Sequence, residues 1–351
     1  MARLLITGGA GFIGTHSCIV LIEQGYDLVI IDSFVNSSPI SLQRVKEITK
    51  LTKKESIERL QVIHGDIRNQ KTLEKVFSDA IREGRRIDAV IHFAGLKSVN
   101  ESLQNPISYW QVNVNGTSCL LSTMHEYNCR NLIFSSSATL YGQPKSIPIP
   151  ETATIQPINP YGNTKAAVEK MLSDISKMDA EWHIACLRYF NPIGAHPSGL
   201  IGEDPKETPN NLFPIISQVA SGSRKVLRIY GNDWPTIDGT CIRDYIHVMD
   251  LARGHSAALN SLLKKEHKHL TLNLGTGEGY SVLEVVNSFE KATGKSIPYE
   301  IIGRRKGDTA ISVADPSKAL KTLKWKTSKS LFESCKDSWN WQSSNPNGFR
   351  S

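Results

Sequence analysis

A tyrosine and a lysine stand four residues apart in the segment NPYGNTK, at residues 159–165. Four residues make about one helical turn, so Tyr161 and Lys165 are expected to project from one face of a helix. A free tyrosine titrates near pH 10, so forming its phenolate at neutral pH requires roughly 4 kcal/mol. An ammonium group one turn away favours that phenolate. The spacing therefore predicts a general base that can take a proton from a hydroxyl group.

An isolated Tyr-x-x-x-Lys pair is often only an exposed pair on a helix, so the interpretation depends on the surrounding sequence. The segment SSSA at residues 135–138 ends an apolar run that reads as a strand. Ser137 at that point could hydrogen-bond the same hydroxyl group and share the path of the proton. The serine strand makes a catalytic pair more plausible than an exposed one.

The elements that must position these residues are short apolar runs that alternate with amphipathic stretches. Runs rich in β-branched residues indicate parallel strands that are covered by helices on both faces. The spacing between the runs leaves room for crossover helices, which predicts a doubly wound α/β fold of the Rossmann type. The predicted strands lie at residues 4–7, 28–32, 60–66, 88–95 and 131–138.

The first strand runs directly into the glycine-rich segment TGGAGFIG, at residues 7–14. Gly8, Gly11 and Gly14 are typical of a turn that lets backbone approach a pyrophosphate at a helix N-terminus. Asp32 ends the second strand about 20 residues on, where a carboxylate accepts hydrogen bonds from an adenosine ribose. The same carboxylate repels a 2′-phosphate, which favours NAD over NADP.

Further cofactor contacts are expected where the third and fourth strands end. Asp66 and Ile67 are placed to hold the adenine, and residues 93–97, FAGLK, to line the middle of the dinucleotide. Ligands of open α/β sheets bind at the carboxyl ends of strands, and all these residues fall there. The positive nicotinamide of bound NAD would add to the effect of Lys165 on Tyr161.

The second half of the chain contains more glycine, proline and polar loops, beginning with WHIACLRYFNPIG at residues 182–194. We therefore expect a cofactor domain at residues 1–180 and a smaller α/β substrate domain at 181–351, with some elements crossing between them. Ser281 and Glu284 have the spacing of a helix capping box, and Gly294 is a plausible helix stop. The polar segment at residues 44–60 predicts a surface helix or an insertion.

Composition excludes several other classes of protein. The chain has 351 residues, of which 40% are hydrophobic and 21% charged, as in ordinary globular proteins. Its net charge of +7 is spread without a dense basic tract, which argues against a nucleic-acid partner. The six cysteines form no C-x-x-C pair, so neither a zinc site nor a redox motif is indicated. We find no signal-peptide pattern and no apolar run that could span a bilayer, so a cytoplasmic protein without a membrane partner is expected.

The longest motifs resemble one known family. The chain resembles the extended short-chain dehydrogenase/reductases, and within them the UDP-glucose 4-epimerase family, from its first strand to its last helix. The resemblance implies reversible inversion at C4 of UDP-galactose and UDP-glucose with tightly held NAD, through a 4-keto sugar, and a homodimer. The motifs that carry it are FSSSATLYG, NPYGNTK, LRYFNPIGAHPSG, NNLFP, GTCIRDYIHVMDLA and RRKGD.

The resemblance also implies a role for individual residues. Tyr161, Lys165 and Ser137 are the expected catalytic group, and all three would also touch the cofactor. The other cofactor residues implied are Gly8, Gly11, Phe12, Ile13, Gly14, Asp32, Asn36, Ser37, Asp66, Ile67, Phe93, Ala94, Gly95, Lys97, Asn113 and Phe190. The substrate residues implied, with Tyr161 and Ser137, are Lys97, Asn191, Asn211, Leu212, Arg228, Tyr230, Arg243, Arg305, Asp308 and Ser312. Arginine suits the diphosphate because its donors form a fork.

Two positions depart from or refine the family pattern. Val112 stands where the family often has an asparagine that contacts the cofactor, and Asn113 is the nearest substitute. Four residues after Asp308 the family carries a gatekeeper that is bulky in enzymes strict for UDP-glucose and small in those that admit N-acetylated sugars. This chain has Ser312 there, which predicts that UDP-N-acetylglucosamine and UDP-N-acetylgalactosamine are also accepted.

Two alternative functions share the fold. A nucleotide-sugar 4,6-dehydratase usually has an Asp-Glu pair directly after the serine or threonine of the fifth strand, whereas this chain has Ala138 and Thr139. A non-catalytic NAD-binding sensor would be expected to lose Tyr161 or Lys165, and both are present.

Overall fold

The computed structural model describes residues 2–206, 209, 211–305 and 307–350. Its strands, in chain order, are β1 (Arg3–Thr7), β2 (Asp27–Asp32), β3 (Leu60–His64), β4 (Ala89–His92), β5 (Asn131–Ser137), β6 (His183–Tyr189), β7 (Asn191–Ile193), β8 (Leu227–Tyr230), β9 (Ile242–Arg243), β10 (Tyr245–His247), β11 (His269–Leu274), β12 (Tyr280–Ser281), β13 (Tyr299–Ile302) and β14 (Ile311–Ser312). The α-helices are α1 (Phe12–Glu23), α2 (Pro39–Ile48), α3 (Lys53–Arg59), α4 (Gln70–Arg82), α5 (Val99–Gln104), α6 (Pro106–Tyr109), α7 (Gly116–Glu126), α8 (Pro160–Met178), α9 (Leu212–Ala220), α10 (Val248–Leu263), α11 (Val282–Thr293), α12 (Ser317–Leu323) and α13 (Leu331–Ser344).

A seven-stranded parallel sheet is the centre of the fold, in the order β11-β6-β5-β4-β1-β2-β3. Successive side chains of a strand point to opposite faces, so each inner strand supplies two cores. In β1, Leu4 and Ile6 join a core with α1 and α10, whereas Leu5 joins a second core with α4, α7 and α8. The predicted doubly wound α/β fold is confirmed.

The predicted strands at residues 4–7, 28–32, 60–66, 88–95 and 131–138 correspond to β1 to β5, with ends that differ by a few residues. Two further strands of the same sheet, β6 and β11, lie beyond residue 180. The long helix α10 also lies beyond that position, yet it packs against α1. The second half of the chain therefore completes the sheet as well as forming structure of its own.

A smaller core lies in the second half of the chain, formed by α9, β8, α11, α13 and the residues around them. Strand β8 pairs with β13, and β9 pairs with both β12 and β14. Helix α11 begins with the predicted capping box of Ser281 and Glu284, and Gly294 follows it in the left-handed conformation. Two short helices, α2 and α3, occupy most of the polar segment at residues 44–60.

None of the helices in the described part of the chain is long and apolar enough to cross a membrane. Among the same residues, no group of three or more His, Cys, Asp or Glu side chains is placed to hold a metal ion.

Candidate active site

The glycine turn between β1 and α1 brings backbone very close together. Gly8 has a φ of +69°, and a Cβ built on it would lie 2.6 Å from the backbone nitrogen of Ala94. A Cβ on Gly14 would lie 2.5 Å from the carbonyl oxygen of Gly8. Both positions therefore require glycine for packing, since no side chain fits there.

Gly11 differs from these two glycines because open space lies beside it. It caps the N-terminus of α1 in extended conformation, and no side chain among the described residues caps the helix there. A Cβ on Gly11 would meet only the carbonyl oxygen of Gly8, at 3.4 Å. The first N–H groups of α1, at Phe12 and Ile13, thus border a space beside a glycine, which fits the pyrophosphate of a dinucleotide.

Asp32 lies at the end of β2, close to the glycine turn, and is buried. Its carboxylate accepts hydrogen bonds from the backbone N–H groups of Ala10 (2.9 Å) and Phe34 (2.9 Å) and from the hydroxyl of Ser37 (2.8 Å). A carboxylate offers about four acceptor positions, so about one remains for a ligand hydroxyl. Such a fixed carboxylate fits an adenosine ribose.

A cleft separates the glycine turn from the loop at residues 202–205. Lys97 lines the cleft, and its Nζ lies 3.0 Å from Oε1 of Glu203, an oxygen that also accepts a hydrogen bond from Asn211 (3.1 Å). The side-chain oxygen of Asn36 accepts a hydrogen bond from the backbone N–H of Lys206 (2.9 Å). The second half of the chain therefore closes over the predicted cofactor site from the side opposite the glycines.

The end of β3 leads to Asp66 and Ile67. Asp66 forms a paired contact with Arg68, whose Nη2 lies 2.6 Å from Oδ2, and this hydrogen bonding lowers the pKa of Asp66. Ile67 is buried, and its side chain fills the space in which a Cβ of Gly116 would lie. Asp66 is partly exposed and follows Gly65, whose backbone N–H donates to the carbonyl oxygen of Asp32 (3.0 Å).

Asn113 holds the loop at residues 93–97 in place. It lies in a π-helical segment (Trp110–Asn115), a local distortion that is frequent at functional sites. Its side-chain oxygen accepts a hydrogen bond from the N–H of Leu96 (2.8 Å), and its nitrogen donates to the Leu96 carbonyl (3.0 Å) and to the hydroxyl of Thr164 (3.0 Å). Both donors of the amide are therefore occupied within the protein, next to Gly95.

Helix α8 presents Tyr161 and Lys165 to the end of β5. Asn159 caps the helix, since its side-chain oxygen accepts a hydrogen bond from the N–H of Gly162 (2.8 Å). Nζ of Lys165 donates to the carbonyl oxygen of Ser135 (2.7 Å) and lies 5.8 Å from the centre of the Tyr161 ring. Both side chains are buried, so the predicted pair faces the interior rather than solvent.

The electrostatic environment acts on the two groups in opposite directions. Burial raises the pKa of Tyr161, and a hydrogen bond with Ser137 partly offsets that effect. Burial lowers the pKa of Lys165 to about 8, and the charge of Glu169 opposes that decrease. Ser137 also donates a hydrogen bond to the hydroxyl of Thr139 (2.9 Å). The tyrosine, lysine and serine predicted to act together are therefore brought together.

The predicted diphosphate residues form one cluster in the second half of the chain. Arg305 contacts Asp308 through two hydrogen bonds, from Nη2 (2.9 Å) and Nε (3.1 Å), and its guanidinium lies 5.3 Å from the Tyr230 ring centre. Arg243 lies 4.0 Å from the same carboxylate. Strands β9 and β14 place Ser312 directly opposite Arg243. Both arginine cations, the carboxylate of Asp308 and the gatekeeper position Ser312 therefore lie next to one another.

The remaining predicted substrate residues lie on several elements, and Asn211 contacts Glu203 at the cleft beside the glycine turn. The side chain of Asn191 donates to the carbonyl oxygen of Asp244 (3.0 Å). Arg228 shares the outer face of β8 with Tyr230 and pairs with Glu300 at 2.8 Å. Asn211 caps α9, which begins at Leu212.

Two of the predicted cofactor residues are phenylalanines. Phe190 is buried beside Leu140, and Phe93 packs on His255 with ring centres 4.9 Å apart. Asn210 of NNLFP and Lys306 of RRKGD lie outside the described residues.

Several supporting residues were not found from the sequence. Asp244 is buried and binds the backbone N–H groups of Thr276 (2.8 Å), Gly277 (3.0 Å) and Ala314 (3.2 Å) next to the arginine cluster. Glu169 is buried one turn beyond Lys165. Its position four residues after Lys165 was the one available signal, because it continues the stripe that begins at Tyr161.

Comparison with known proteins identifies the family. A UDP-glucose 4-epimerase of Dictyostelium discoideum is 51% identical to the chain over 347 residues, which is 99% of this chain and 97% of that protein. The chain belongs to the UDP-glucose 4-epimerase family. Residues 5–338 also match a family model described as GDP-mannose 4,6 dehydratase. The relatives favour the epimerase over the dehydratase, in agreement with Ala138 and Thr139.

Solved structures of this family agree with the fold in detail. A UDP-glucose 4-epimerase from Bifidobacterium longum in complex with NAD+ and UDP is 47% identical, with a TM-score of 0.92 over 99% of this chain and 100% of that one. An epimerase from Stenotrophomonas maltophila with bound NAD and formylated UDP-arabinopyranose has a TM-score of 0.93 at 44% identity, over 99% of both chains. The predicted family, isomerase class, fold and NAD dependence are confirmed at the level of this family.

Proposed function

We propose that the chain interconverts UDP-galactose and UDP-glucose by inverting C4, and that Tyr161 is the acid/base group. The observation that carries the proposal is the buried group of Tyr161, Lys165 and Ser137 at the end of β5, next to a glycine turn that fits a dinucleotide. NAD, when bound, supplies the reversible acceptor of hydride that inversion at an unactivated carbon requires. Gly11, Asp32 and Lys97 are among the residues that would hold it.

The residues of the chain account for the movement of the proton. Tyr161 takes the proton of the 4-hydroxyl group as C4 becomes a ketone, and it returns that proton after the sugar has turned. Lys165 favours the phenolate because its ammonium lies beside the tyrosine ring. Ser137, which lowers the pKa of Tyr161, would hydrogen-bond the 4-hydroxyl group of the sugar and share the path of the proton.

In the proposed division of the chain, residues 1–180 bind the cofactor and residues 181–351 bind the UDP-sugar. Arg243 and Arg305 would bind the diphosphate, and Asp308 would turn from Arg305 to the uridine ribose. Asp308 contacts the same guanidinium that would contact a phosphate. Each charge-assisted hydrogen bond to phosphate contributes about 1.5–3 kcal/mol.

The experiment that tests the proposal supplies UDP-galactose to the purified protein and measures UDP-glucose without added cofactor. The change Tyr161→Phe removes the hydroxyl and leaves the ring, so it should keep NAD and lose activity by a factor of about 100 or more, as loss of a general base does. Turnover of that variant at the wild-type rate would remove Tyr161 from the mechanism.

The range of sugars is proposed to include UDP-N-acetylglucosamine and UDP-N-acetylgalactosamine. The supporting observation is the small side chain of Ser312, which lies opposite Arg243 in the strand pair that adjoins the arginine cluster. Ser312→Tyr should abolish turnover of the N-acetylated sugars and spare UDP-galactose, with Ser312→Ala as the control. Equal loss for both sugar types in Ser312→Tyr would contradict the gatekeeper role.

We also propose that the protein is a cytoplasmic homodimer. Leu103, Ile107 and Trp110 support dimer formation because these apolar side chains are exposed on consecutive helical segments. All six cysteines are free thiols, which suits a reducing compartment. Light scattering after size-exclusion chromatography should give a molar mass twice that of one chain, and Ile107→Glu should lower that mass toward the value of one chain. Cell fractionation tests the proposed cytoplasmic location.

A further inference from the structure

The stripe of α8 that carries Tyr161 and Lys165 continues to a third ionisable residue, Glu169. The three residues are four apart, so they lie on one face of the helix, and all are buried. A glutamate is almost never fully buried unless it is paired. Glu169 takes no part in the proton transfer proposed above, so its burial needs another explanation.

Glu169 is paired with Arg188 of β6, which is also buried. Nη2 of Arg188 lies 2.6 Å from Oε2 of Glu169, and Nε lies 3.0 Å from Oε1, so the guanidinium binds both oxygens. Arg188 also donates to the hydroxyl of Tyr141 (3.0 Å) and to the carbonyl oxygen of Glu151 (3.1 Å). These contacts give the ion pair one arrangement, because the donors of Arg188 are distributed over three fixed partners.

The same carboxylate also reaches the strand that carries the catalytic serine. Oε1 of Glu169 accepts a hydrogen bond from the hydroxyl of Ser136 (2.5 Å). Ser136 lies between Ser135, whose carbonyl holds Lys165, and Ser137, which lowers the pKa of Tyr161. One side chain therefore joins the catalytic helix α8 to the catalytic end of β5.

Glu169 also influences the charge on Lys165. Burial disfavours the ammonium form and lowers the pKa of Lys165 to about 8, while the negative charge of Glu169 acts in the opposite direction. Arg188 limits this effect because it neutralises part of that charge. The other titratable groups near Lys165 in the described part of the chain are Tyr161 on α8, His92 on β4, Tyr189 on β6, Tyr109 on α6 and His255 on α10. The charge of Glu169 also acts on Tyr141, on Cys186 of β6 and on His269 of β11, and Glu151 lies near Tyr141.

We propose that Glu169 and Arg188 form a positioning pair in which Glu169 favours the charged form of Lys165, Arg188 holds Glu169 in place, and the two together fix the serine strand against the catalytic helix. The pair touches neither the sugar nor the cofactor and acts through Lys165 and Ser136. The proposal rests on the function proposed above, in which Lys165 must be charged while Tyr161 takes the proton.

The test is the pH profile of kcat for C4 inversion of UDP-galactose. The alkaline limb should report loss of the ammonium form of Lys165. Glu169→Gln keeps the shape and removes the negative charge, so we expect a lower kcat and an alkaline limb moved down by about one pH unit. Arg188→Met leaves the charge of Glu169 uncompensated and should move the limb upward. Arg188→Lys, which keeps the positive charge, should return the limb toward its wild-type position.

The double variant Glu169→Gln/Arg188→Met protects the test against misfolding, since it leaves no unpaired charge in the interior. Its alkaline limb should also lie below that of the wild type, because burial then acts on Lys165 alone. A limb at the wild-type pH in either Glu169→Gln or the double variant would overturn the proposal, whatever the fall in kcat. Absence of epimerase activity in the wild type would instead overturn the proposed function.

Discussion

The role of the glycine turn leads to a prediction about one methyl group. Gly11 is extended, with φ −75° and ψ 173°, so alanine adopts its backbone conformation without strain. The new Cβ would meet only one atom, at 3.4 Å, which is an ordinary contact. Alanine is a poorer helix cap than glycine, so the change costs about 1 kcal/mol of stability. The fold should therefore tolerate Gly11→Ala.

NAD binding should not tolerate the same change. The methyl group would stand at the start of α1, where the helix N–H groups and its partial positive charge are expected to meet the pyrophosphate. Displacing the phosphates weakens charge-assisted hydrogen bonds, each of which contributes about 1.5–3 kcal/mol. Loss of one or two such bonds weakens NAD binding by a factor of about 100, because 1.4 kcal/mol corresponds to about tenfold.

Two other glycines provide matched controls. A Cβ on Gly14 would lie 2.5 Å from the carbonyl oxygen of Gly8 and 2.8 Å from Cα of Gly9, and this backbone cannot move aside. Gly14→Ala should therefore destabilise the fold by about 1–3 kcal/mol, as overpacking does, and weaken NAD binding as well. Gly84 has a φ of +69° with nothing within 4 Å, so Gly84→Ala should reduce stability through backbone strain and leave NAD binding intact.

The assay is thermal unfolding of each protein with and without NAD, together with the NAD released on denaturation. A ligand that binds only the folded state raises the midpoint, so the NAD-dependent shift reports affinity separately from intrinsic stability. We expect the shift in the wild type and Gly84→Ala, and none in Gly11→Ala at the same NAD concentration. A Gly11→Ala protein that binds NAD as tightly as the wild type would refute this placement of the pyrophosphate.

Three further changes test other parts of the site. Burial lowers the pKa of His255 to about 4, so the unfolded chain binds more protons than the folded one below about pH 6.5, and stability falls on acidification. In denaturant titrations the free energy of unfolding should fall by about 2 kcal/mol less between pH 7 and pH 5 in His255→Leu than in the wild type. An equal fall in the two proteins would contradict a neutral buried histidine. Asn113→Leu removes the hydrogen bonds that hold Leu96 and should weaken NAD binding about tenfold or more by calorimetry, whereas unaltered affinity would exclude the loop from the cofactor site. Arg305→Lys keeps the charge without the fork, so KM for UDP-galactose should rise about tenfold with a smaller change in kcat; a wild-type KM would remove Arg305 from the diphosphate site.

The sheet was largely predictable because its inner strands are buried on both faces. In β1 and β2 every residue is buried, which requires the continuous apolar runs that the sequence displays. The partners of β6 and β11 were not predictable in the same way. An apolar run indicates a buried strand but not the sheet that it joins: β6 pairs with β5 after the crossover through α8, and β11 pairs with β6 after α10 has packed against α1.

The reactive residues of the site were more predictable than the residues that support them. Tyr161 and Lys165 are recognisable because their spacing is local, one turn of one helix. Asn113 and Leu96 are 17 residues apart, and Asp244 and Thr276 are 32 apart. Hydrogen bonds across such separations depend on how the elements pack, and a pattern of residue types along the chain does not contain that information.

The three consecutive serines of β5 illustrate this limit most clearly. Side chains alternate along a strand, so Ser136 faces the opposite way from Ser135 and Ser137. The hydroxyl of Ser135 contacts that of Tyr189, the hydroxyl of Ser136 donates to Glu169, and Ser137 lowers the pKa of Tyr161. The sequence presents three identical residues, of which one was assigned to the chemistry. The other two connect the same strand to β6 and to α8, so the position of Ser137 is held from both faces of the sheet.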